Sequence, residues 1–427
     1  MVRRRMAGIL VLSILMAAVL VRPVWADDTP ETRELRKRIR ALEEKVLKGK
    51  PLPASEHPWY ERVAFSGGIL SVLSGTSGYS DVASDLNRTG VTASDPLDTK
   101  ERLDMSSNFD LFIEYPVGMH GLASAHLSMA KGDGVIPEMT EASGLTPFAH
   151  YTEQDLHDNN KLLEAWYEGK FLDGRLIWTF GLLDGTLYID TNEAAGDETE
   201  QFMNAAFYDS PITGLPSFVP GMRITYNFVH GFYGTLLYVE GDDRSYAQDR
   251  LFARSDDFST VYAAEIGWHV APAGKEGNYR LYGWKDTTDF DRLDGTGTDN
   301  NQGFGLSFDQ HLTEHLTLFG RYSAGEKSVL DFSRFYNLGL SFASGRDTFG
   351  FAAGTIRSSD AAKKKWSVGG RNLTLYEKGL LISELFYRRQ VTETLSLTPD
   401  LQYTKNPLGS GDLESIWVAS LRLNVSF

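Results

Sequence analysis

The stretch ESIWVASLRLNVSF, residues 414–427, alternates between apolar and polar side chains. The apolar set is Trp417, Ala419, Leu421, Leu423, Val425 and Phe427, and the intervening polar set is Ser420, Arg422, Asn424 and Ser426. Successive side chains of a β-strand point to opposite faces, so this period of two predicts an amphipathic strand that ends in a C-terminal phenylalanine.

The same period recurs along most of the chain. We predict sixteen strands, each near the roughly 9–11 residues that a tilted membrane strand needs. Their predicted bounds are 62–74, 105–115, 121–131, 161–171, 175–183, 222–230, 231–241, 258–269, 277–286, 300–311, 314–325, 332–344, 346–357, 379–391, 394–404 and 414–427.

The connections between these strands alternate between short and long. Short links such as PVGMHG and SGR alternate with long ones such as 75–104, 132–160 and 184–221. Short periplasmic turns and long external loops are typical of outer-membrane barrels. The fold class is therefore predicted to be all-β, a 16-stranded antiparallel transmembrane β-barrel over residues 62–427. An extracellular β-sandwich or β-helix is the alternative, and neither predicts such length alternation.

The composition excludes several other classes of protein. The formal net charge is −15, which disfavours binding to phosphate backbones, so no nucleic-acid partner is expected. The chain contains no cysteine, which removes thiol catalysis and disulfide scaffolds. Beyond the N-terminus no apolar run reaches about 18 residues, which excludes helical membrane spans.

The N-terminus has the layout of a secretory signal peptide. Three arginines precede an apolar stretch from Met6 to Val21, and Val24-Trp25-Ala26 precedes two aspartates. A retained signal anchor is the alternative. Removal of residues 1–26 takes away four arginines and no acid, so the mature charge is −15 − 4 = −19. We expect export and insertion into the bacterial outer membrane.

Residues 27–61 form a separate predicted unit, a short N-terminal periplasmic helix with a linker. Leu35, Ile39, Leu42 and Val46 place one apolar stripe on a charged helix over about 31–48. The helix would suit oligomerisation, for example as a homotrimer, or tethering. A solvated, frayed helix is the alternative, because short isolated helices are marginal in water.

Alternation also assigns each side chain to lipid or lumen. In KLLEAWYEGKF, residues 161–171, Leu163 and Tyr167 are expected to face lipid. The predicted lumen set is Glu164, Trp166, Glu168, Arg223, Glu265, Arg280, Arg321, Glu384, Arg388 and Arg422. Charges on the lipid face cost roughly 2–4 kcal/mol near the midplane, which favours this assignment. Sixteen strands leave an aqueous bore, so the lumen is predicted to be wet.

The 184–221 loop is too long to be a simple connection, and ordered loops of this length are usually functional. Asp197-Glu198-Thr199-Glu200 predicts a capping box that opens a helix through Phe207. Folded inward, the loop would place Glu193, Asp197 and Glu198 opposite the wall, with Arg223 as the first wall partner and Arg321 as the second. An external loop that caps the pore mouth is the alternative.

Four stretches carry a family resemblance. They are LLEAWYEGKFLDGRL, YIDTNEAAGDETEQFMNAAFYDSP, SGRDTFGFAAG and ELFYRRQVTETLSLTPDLQYTKNP, in order over residues 161–427. They resemble the carbohydrate-selective porin family (OprB type). The resemblance implies a sixteen-stranded barrel that passes sugars and small solutes by diffusion, with a third loop that forms a charged, arginine-containing constriction. One departure is Leu182-Leu183-Asp184, where the family pattern has a lysine before the aspartate.

Signals for other chemistry fail on their context. His311-Leu-Thr-Glu-His315 spells a zinc-peptidase pattern, but that chemistry needs a helix and the motif lies between two predicted strands. We expect no cofactor, no metal and no enzymatic activity. The alternative is an outer-membrane barrel enzyme, protease- or lipase-like, with a site at the external rim. Expected partners are sugars and small solutes, outer-membrane lipid and lipopolysaccharide, and the barrel-assembly machinery through the C-terminal strand.

Overall fold

The computed structural model describes residues 62–89, 96–153, 161–240, 259–367 and 373–427. The predicted signal peptide, 1–26, and the predicted helix at about 31–48 lie outside these residues. The strands are β1 Ala64–Ser77, β2 Leu103–Val117, β3 Gly121–Lys131, β4 Lys161–Phe171, β5 Leu176–Leu183, β6 Val219–Asn227, β7 Phe232–Glu240, β8 Thr260–Val270, β9 Gly277–Asp291, β10 Thr298–His311, β11 Leu316–Ala324, β12 Phe332–Ser344, β13 Asp347–Ser358, β14 Leu380–Gln390, β15 Leu395–Lys405 and β16 Ile416–Ser426.

These strands form one closed antiparallel barrel. Each strand pairs with its neighbours in sequence, and β1 pairs with β16 from Gly68↔Ser426 to Ser77↔Trp417. The predicted fold class is therefore confirmed. The predicted strand bounds agree within three residues, except that β9 continues to Asp291 instead of ending at 286.

The outer face is apolar and the long connections lie at one end. Exposed large side chains, among them Ile69, Leu236 and Phe351, cover the outside. The long connections contain four short helices: α1 Tyr79–Thr89, α2 Ile136–Ser143, α3 Ala205–Tyr208 and α4 Asp360–Ser367. Of these, the sequence analysis predicted a helix only in the connection that contains α3. None of the helices in the described ranges has the length and apolarity needed to cross a bilayer.

The prediction that Leu163 faces lipid is wrong. The pairing of β3 with β4 shifts register between His126↔Glu164 and Leu127↔Leu162, which leaves Leu163 as the extra residue of a β-bulge. A bulge re-aims a side chain locally. Leu163 is consequently fully buried and packs with Ala130.

The inside of the barrel contains an apolar core as well as polar groups. Phe202, between β5 and β6, is fully buried, and its ring lies 5.2 Å from that of Phe319 and 4.9 Å from that of Phe386. The prediction of a wet lumen is thus wrong for this part of the wall. Its inward side chains exclude water because residues of the β5–β6 connection cover them.

Candidate functional site

The connection between β5 and β6, residues 184–218, lies against the inner face of the wall. We call it the inserted segment. It contacts inward side chains from β8 to β16, on the face opposite the exposed apolar residues. Because loop backbone carries polar groups that need partners when buried, the wall must supply them.

Arg321 on β11 binds the inserted segment at several points. Its guanidinium forms an ion pair with Asp190 at 3.1 Å and donates to the carbonyl oxygens of Phe207, Asp190 and Ala195 at 2.6, 3.1 and 2.9 Å. The side chains of Arg321 and Asp190 are both 0% exposed. Arg321 was predicted to be a water-exposed wall charge. It is instead fully buried, since the inserted segment covers it, and it binds that segment to the wall.

Two wall carboxylates bind backbone N–H groups of the same segment. Glu384 on β14 accepts from Met203 N at 2.6 Å and from Asn204 N at 3.0 Å. Glu265 on β8 accepts from Asp190 N at 2.9 Å. These bonds satisfy buried donors that have no strand partner. Both glutamates were predicted to face the lumen, and both are buried beneath the segment.

The prediction of a helix from Asp197 through Phe207 is wrong. The Asp197 carboxylate binds Thr199 N at 2.9 Å and the Thr199 hydroxyl at 2.6 Å, which forms a local turn. Since Glu384 occupies the N–H groups of Met203 and Asn204, the chain there does not continue as a helix. The helix begins only at Ala205, where the Asn204 side chain accepts from Ala206 N.

Two further arginines join the wall to this turn. Arg422 on β16 donates to the carbonyl oxygens of Glu198 and Gln201, the latter at 3.0 Å. Arg388 on β14 pairs with Glu200 at 2.8 Å. Glu200 is 46% exposed, whereas Arg422 is fully buried, so the two contacts differ strongly in their exposure to water.

A chain of imidazoles and carboxylates connects the inserted segment to β2, β3 and β4. His150 lies between Glu198, at 2.9 Å, and Asp110, at 3.5 Å. His126 lies between Asp110, at 3.0 Å, and Glu164, at 3.4 Å. Burial opposes the charge of His150, but its bonds to Asp110 and Glu198 outweigh that effect and raise its pKa to about 9. The sequence analysis did not identify either histidine, because 126 is one polar position of a strand and 150 lies in a loop.

Arg223 occupies a different environment on β6. It pairs with Glu168 of β4 at 3.0 Å, and its guanidinium lies 4.8 Å from the ring centre of Tyr188. Trp166, two residues before Glu168, donates to Glu164 at 3.2 Å. The side chains of Arg223 and Glu168 are 14% and 18% exposed. This sector, β4 to β6, therefore keeps charged groups in contact with water.

The remaining two candidate residues lie nearer the short turns. Arg280 on β9 pairs with Asp309 of β10 at 2.6 Å, so its partner belongs to the wall itself. Glu193 is 52% exposed and lies 3.7 Å from His311, the last residue of β10. His315 precedes β11 in the following turn, so the two histidines of the zinc-like pattern do not share a helix. Among the described residues no cluster of three or more histidine and acidic side chains could hold a metal ion.

A cavity of about 150 Å³ lies at the inserted segment beside Arg321. Its lining is Thr186, Leu187, Asp190, Thr191, Asn192, Gly196, Tyr208, Asp209 and Arg321. Burial and then the neighbouring Asp190 raise the pKa of Asp209 to about 7, against the opposing effect of Arg321. The lining thus combines carboxyl, hydroxyl and amide groups with one phenol ring.

Comparison with known proteins gives a consistent result. Residues 97–427 match the family model described as carbohydrate-selective porin, OprB family. Porin B of Pseudomonas aeruginosa (strain PAO1) is 22% identical over 314 residues, which is 62% of this chain and 68% of that protein. An uncharacterized protein of Aquifex aeolicus (strain VF5) is 26% identical over 286 residues, 66% of this chain and 75% of that protein.

The fold also matches a solved structure. The high-pH structure of OprB from Pseudomonas putida superposes with a TM-score of 0.72 at 19% identity, over 86% of this chain and 95% of that chain. At this identity the likeness describes the barrel fold.

Proposed function

The chain belongs to the OprB family of carbohydrate-selective porins, and from this premise we propose where its solutes pass. The protein is an outer-membrane channel for passive diffusion of carbohydrates and other small hydrophilic solutes, and it is not an enzyme. We propose that the inserted segment, residues 184–218, forms the constriction. The solute path runs between this segment and the β4–β6 sector of the wall.

The observation that carries this proposal is the contrast in water contact within the lumen. Arg321, Glu384 and Arg422 are buried where the inserted segment covers the wall. Arg223, Glu168 and Trp166 keep partial exposure on the β4–β6 side. A hydrated solute needs a wall that water already reaches. Arg388 on β14 is similarly exposed but pairs with Glu200 of the inserted segment, whereas Arg223 and Glu168 pair with each other within the wall, so we place the path on the β4–β6 side.

The residues of that sector suit sugars. A sugar hydroxyl both donates and accepts, so Glu168 can accept a hydrogen bond and Arg223 can donate one in place of lost water. Trp166 offers an aromatic face to the apolar C–H face of a pyranose. Conduction needs each such contact to be weak enough to release its solute. A short run of shallow contacts satisfies that requirement.

The cavity beside Arg321 adds a second group of hydroxyl partners. Asp209, Asn192 and Tyr208 line a space of about 150 Å³, with carboxyl, amide and phenol groups in one place. We propose that it takes up one sugar unit at the inserted segment. Glu193, Asp197, Glu198, Arg280, Glu265 and Arg388 support the segment or the wall around this path.

The test compares Arg223→Ala with Glu168→Ala in planar bilayers. Both variants should fold, because the pair borders the lumen and water can reach the charge that is left. Arg223→Ala leaves Glu168 with the more exposed Lys170, at 3.4 Å, as its cationic partner and should shift the reversal potential in a salt gradient toward cation selectivity, whereas Glu168→Ala should shift it toward anions. Both should weaken the block of ion current by added sugar.

Arg346→Ala is the matched control, because Arg346 is exposed in the short turn between β12 and β13, away from this sector. It should change neither reversal potential nor sugar block. If Arg223→Ala and Glu168→Ala behave like Arg346→Ala, the path does not follow the β4–β6 sector.

The remaining expectations on organisation and partners are proposals too. We propose that residues 1–26 are a signal peptide, that 27–61 form a periplasmic helix and linker, and that a homotrimer is one assembly for this helix. We also propose that the barrel-assembly machinery reads the C-terminal strand. Phe427 is 62% exposed on the outside, and its ring lies 6.4 Å from Phe109. Phe427 deletion should lower outer-membrane levels, measured by immunoblot, without changing conductance.

A further inference from the structure

Three exposed cations lie on the outward face of the barrel at the end that carries the long connections. They are Arg334 on β12, Arg357 on β13 and Lys405 on β15, which we call the rim patch. Each lies two residues beyond an outward Tyr336, Thr355 or Tyr403 and therefore shares its face. Aromatic residues mark the membrane interface in such barrels, so the rim patch lies at headgroup height.

Arg334 and Arg357 are direct cross-strand partners. Like charges in this position destabilise a sheet unless something compensates them. The polar contact that the structure gives Arg357 is with the Tyr336 hydroxyl, at 3.4 Å. Within the described ranges of the chain, no carboxylate forms an ion pair with Arg334, Arg357 or Lys405. The N–H donors of these two guanidinium groups therefore point away from the barrel, and no carboxylate in the described residues neutralises their charge.

The surface between Arg357 and Lys405 is formed by Gly379 and by Leu381, which is 43% exposed. The printed pairs of β13 and β14 end at Ile356↔Leu380, and Gly379 precedes β14 beside Arg357, whose Cδ atom lies 3.2 Å from the position of a Cβ built on Gly379. The aliphatic part of Arg357 therefore lies over a residue that has no side chain. On the next pair of strands Lys405 lies opposite Leu381. Lys405 aligns through Leu381 with Thr355, so it lies two strand spacings across and two residues along from Arg357, about 12 Å. A ligand that carries two separated negative groups would reach both sites across this shallow floor.

The other side of the barrel does not repeat this arrangement. Leu103 and Met105 are exposed on β2, and Lys285 is the exposed outward cation of β9, opposite Gln302 and Tyr262. In a chain with a formal charge of −15, a concentration of cations on one outward sector needs a specific reason. An anionic lipid of the outer leaflet supplies one.

We propose that the rim patch binds a phosphorylated lipid of the outer leaflet, the lipid A part of lipopolysaccharide. The two guanidinium forks of Arg334 and Arg357 hold one phosphate, since the planar fork matches phosphate oxygens in a bidentate way. Lys405 contacts a second phosphate at the other end of a disaccharide headgroup. Tyr336 and Tyr403 lie beneath, at the boundary between headgroup and acyl chains.

The experiment measures retained lipid on the full-length protein in detergent and in nanodiscs that contain defined amounts of lipid A. Native mass spectrometry should show bound diphosphorylated lipid A on the wild type. The double variant Arg334→Gln with Arg357→Gln should reduce that binding about tenfold, because charge-assisted phosphate bonds are lost. The matched control Lys285→Gln removes one isolated outward cation and should leave binding unchanged.

Further measurements distinguish recognition of the lipid phosphates from nonspecific lipid binding and from binding of free phosphate. Lipid A without phosphates should bind weakly to every variant, and inorganic phosphate in millimolar amounts should not displace the bound lipid. Single-channel conductance of the double variant should equal that of the wild type, because both side chains face away from the bore. Should the double variant fail to fold, the single Arg357→Gln and the charge-keeping Arg334→Lys with Arg357→Lys provide the comparison.

The proposal is overturned if the glutamine variant retains lipid A like the wild type, if Lys285→Gln loses as much, or if inorganic phosphate displaces the lipid. Because conductance is measured on the same samples, failure here is distinct from failure of the proposed solute path.

Discussion

Arg321 and Arg223 lie on the inward face of the same barrel, and the alternation of the sequence assigns both side chains to the lumen. Arg321 is 0% exposed and binds Asp190 and carbonyl oxygens of the inserted segment. Arg223 keeps contact with water and pairs with Glu168 on a neighbouring part of the wall. The first arginine binds the inserted segment, and the second lies beside the solute path that we propose. Two inward arginines of one barrel thus differ in burial and in partners, because the inserted segment covers Arg321 and leaves Arg223 partly exposed.

The largest expected effect comes from Arg321→Ala. Removal of one partner from a buried ion pair costs about 3–5 kcal/mol, because the other charge is left uncompensated. Asp190 and the carbonyl oxygens of Phe207 and Ala195 would lose their donor. The inserted segment should detach in part, with a higher single-channel conductance and new protease cleavage within residues 184–218.

Arg280→Ala serves as the control for this effect, since Arg280 is similarly buried but pairs with Asp309 of the wall, which accepts one long bond from the segment, from Glu193 N at 3.4 Å. It should lower barrel stability, measured by the heat needed to unfold the protein on a gel, without a rise in conductance. Equal conductance changes in the two variants would remove the distinction between a segment clamp and a wall pair.

A smaller effect is expected from pH, through His150. Its pKa is raised from 6.5 to about 9 by Asp110 and Glu198, against burial. A group whose folded pKa is raised stabilises fully below its unfolded pKa and loses that contribution as pH rises through the folded value. Unfolding temperature in detergent should therefore fall between about pH 7 and pH 10 as the imidazolium loses its proton.

His150→Gln should flatten this dependence, because glutamine keeps a hydrogen-bonding group without a titrating charge. His315→Gln is the matched control, since His315 lies exposed in the turn before β11. A wild-type profile that stays flat to pH 10, or one that His150→Gln leaves unchanged, would show that the link between His150 and Glu198 does not hold the segment.

The smallest expected effect concerns Glu193. It is 52% exposed and lies 3.7 Å from the partly exposed His311, so water screens the contact and it contributes little to stability. Glu193→Gln should leave stability unchanged and shift the reversal potential slightly toward anions, less than Glu168→Ala does. Glu314→Gln, in the exposed turn after β10, should give no shift. If Glu193→Gln shifts the reversal potential more than Glu168→Ala does, the ion-selective part of the lumen lies at Glu193, near the short turns, and not at the β4–β6 sector.

The strands could be predicted because their code is local. Alternation in residues such as 395–405 and 416–426 reports which face meets lipid, and lipid tolerates few errors on that face. The prediction failed where the same local sequence is compatible with two backbone structures. Asp197 could cap a helix or a turn, and the structure has the turn because Glu384, far away in sequence, binds the N–H groups of Met203 and Asn204.

The sequence by itself therefore determined the barrel: the number of strands, their bounds, the faces of most side chains and the separation of short turns from long connections. Only the tertiary structure decided which inward charges are buried, since burial depends on the inserted segment that lies across β8 to β16. A period of two states that a side chain faces the lumen. The alternation does not report which other residues fill the lumen beside that side chain. Those neighbours come from contacts such as Arg321 with Asp190, which are 131 residues apart in the chain.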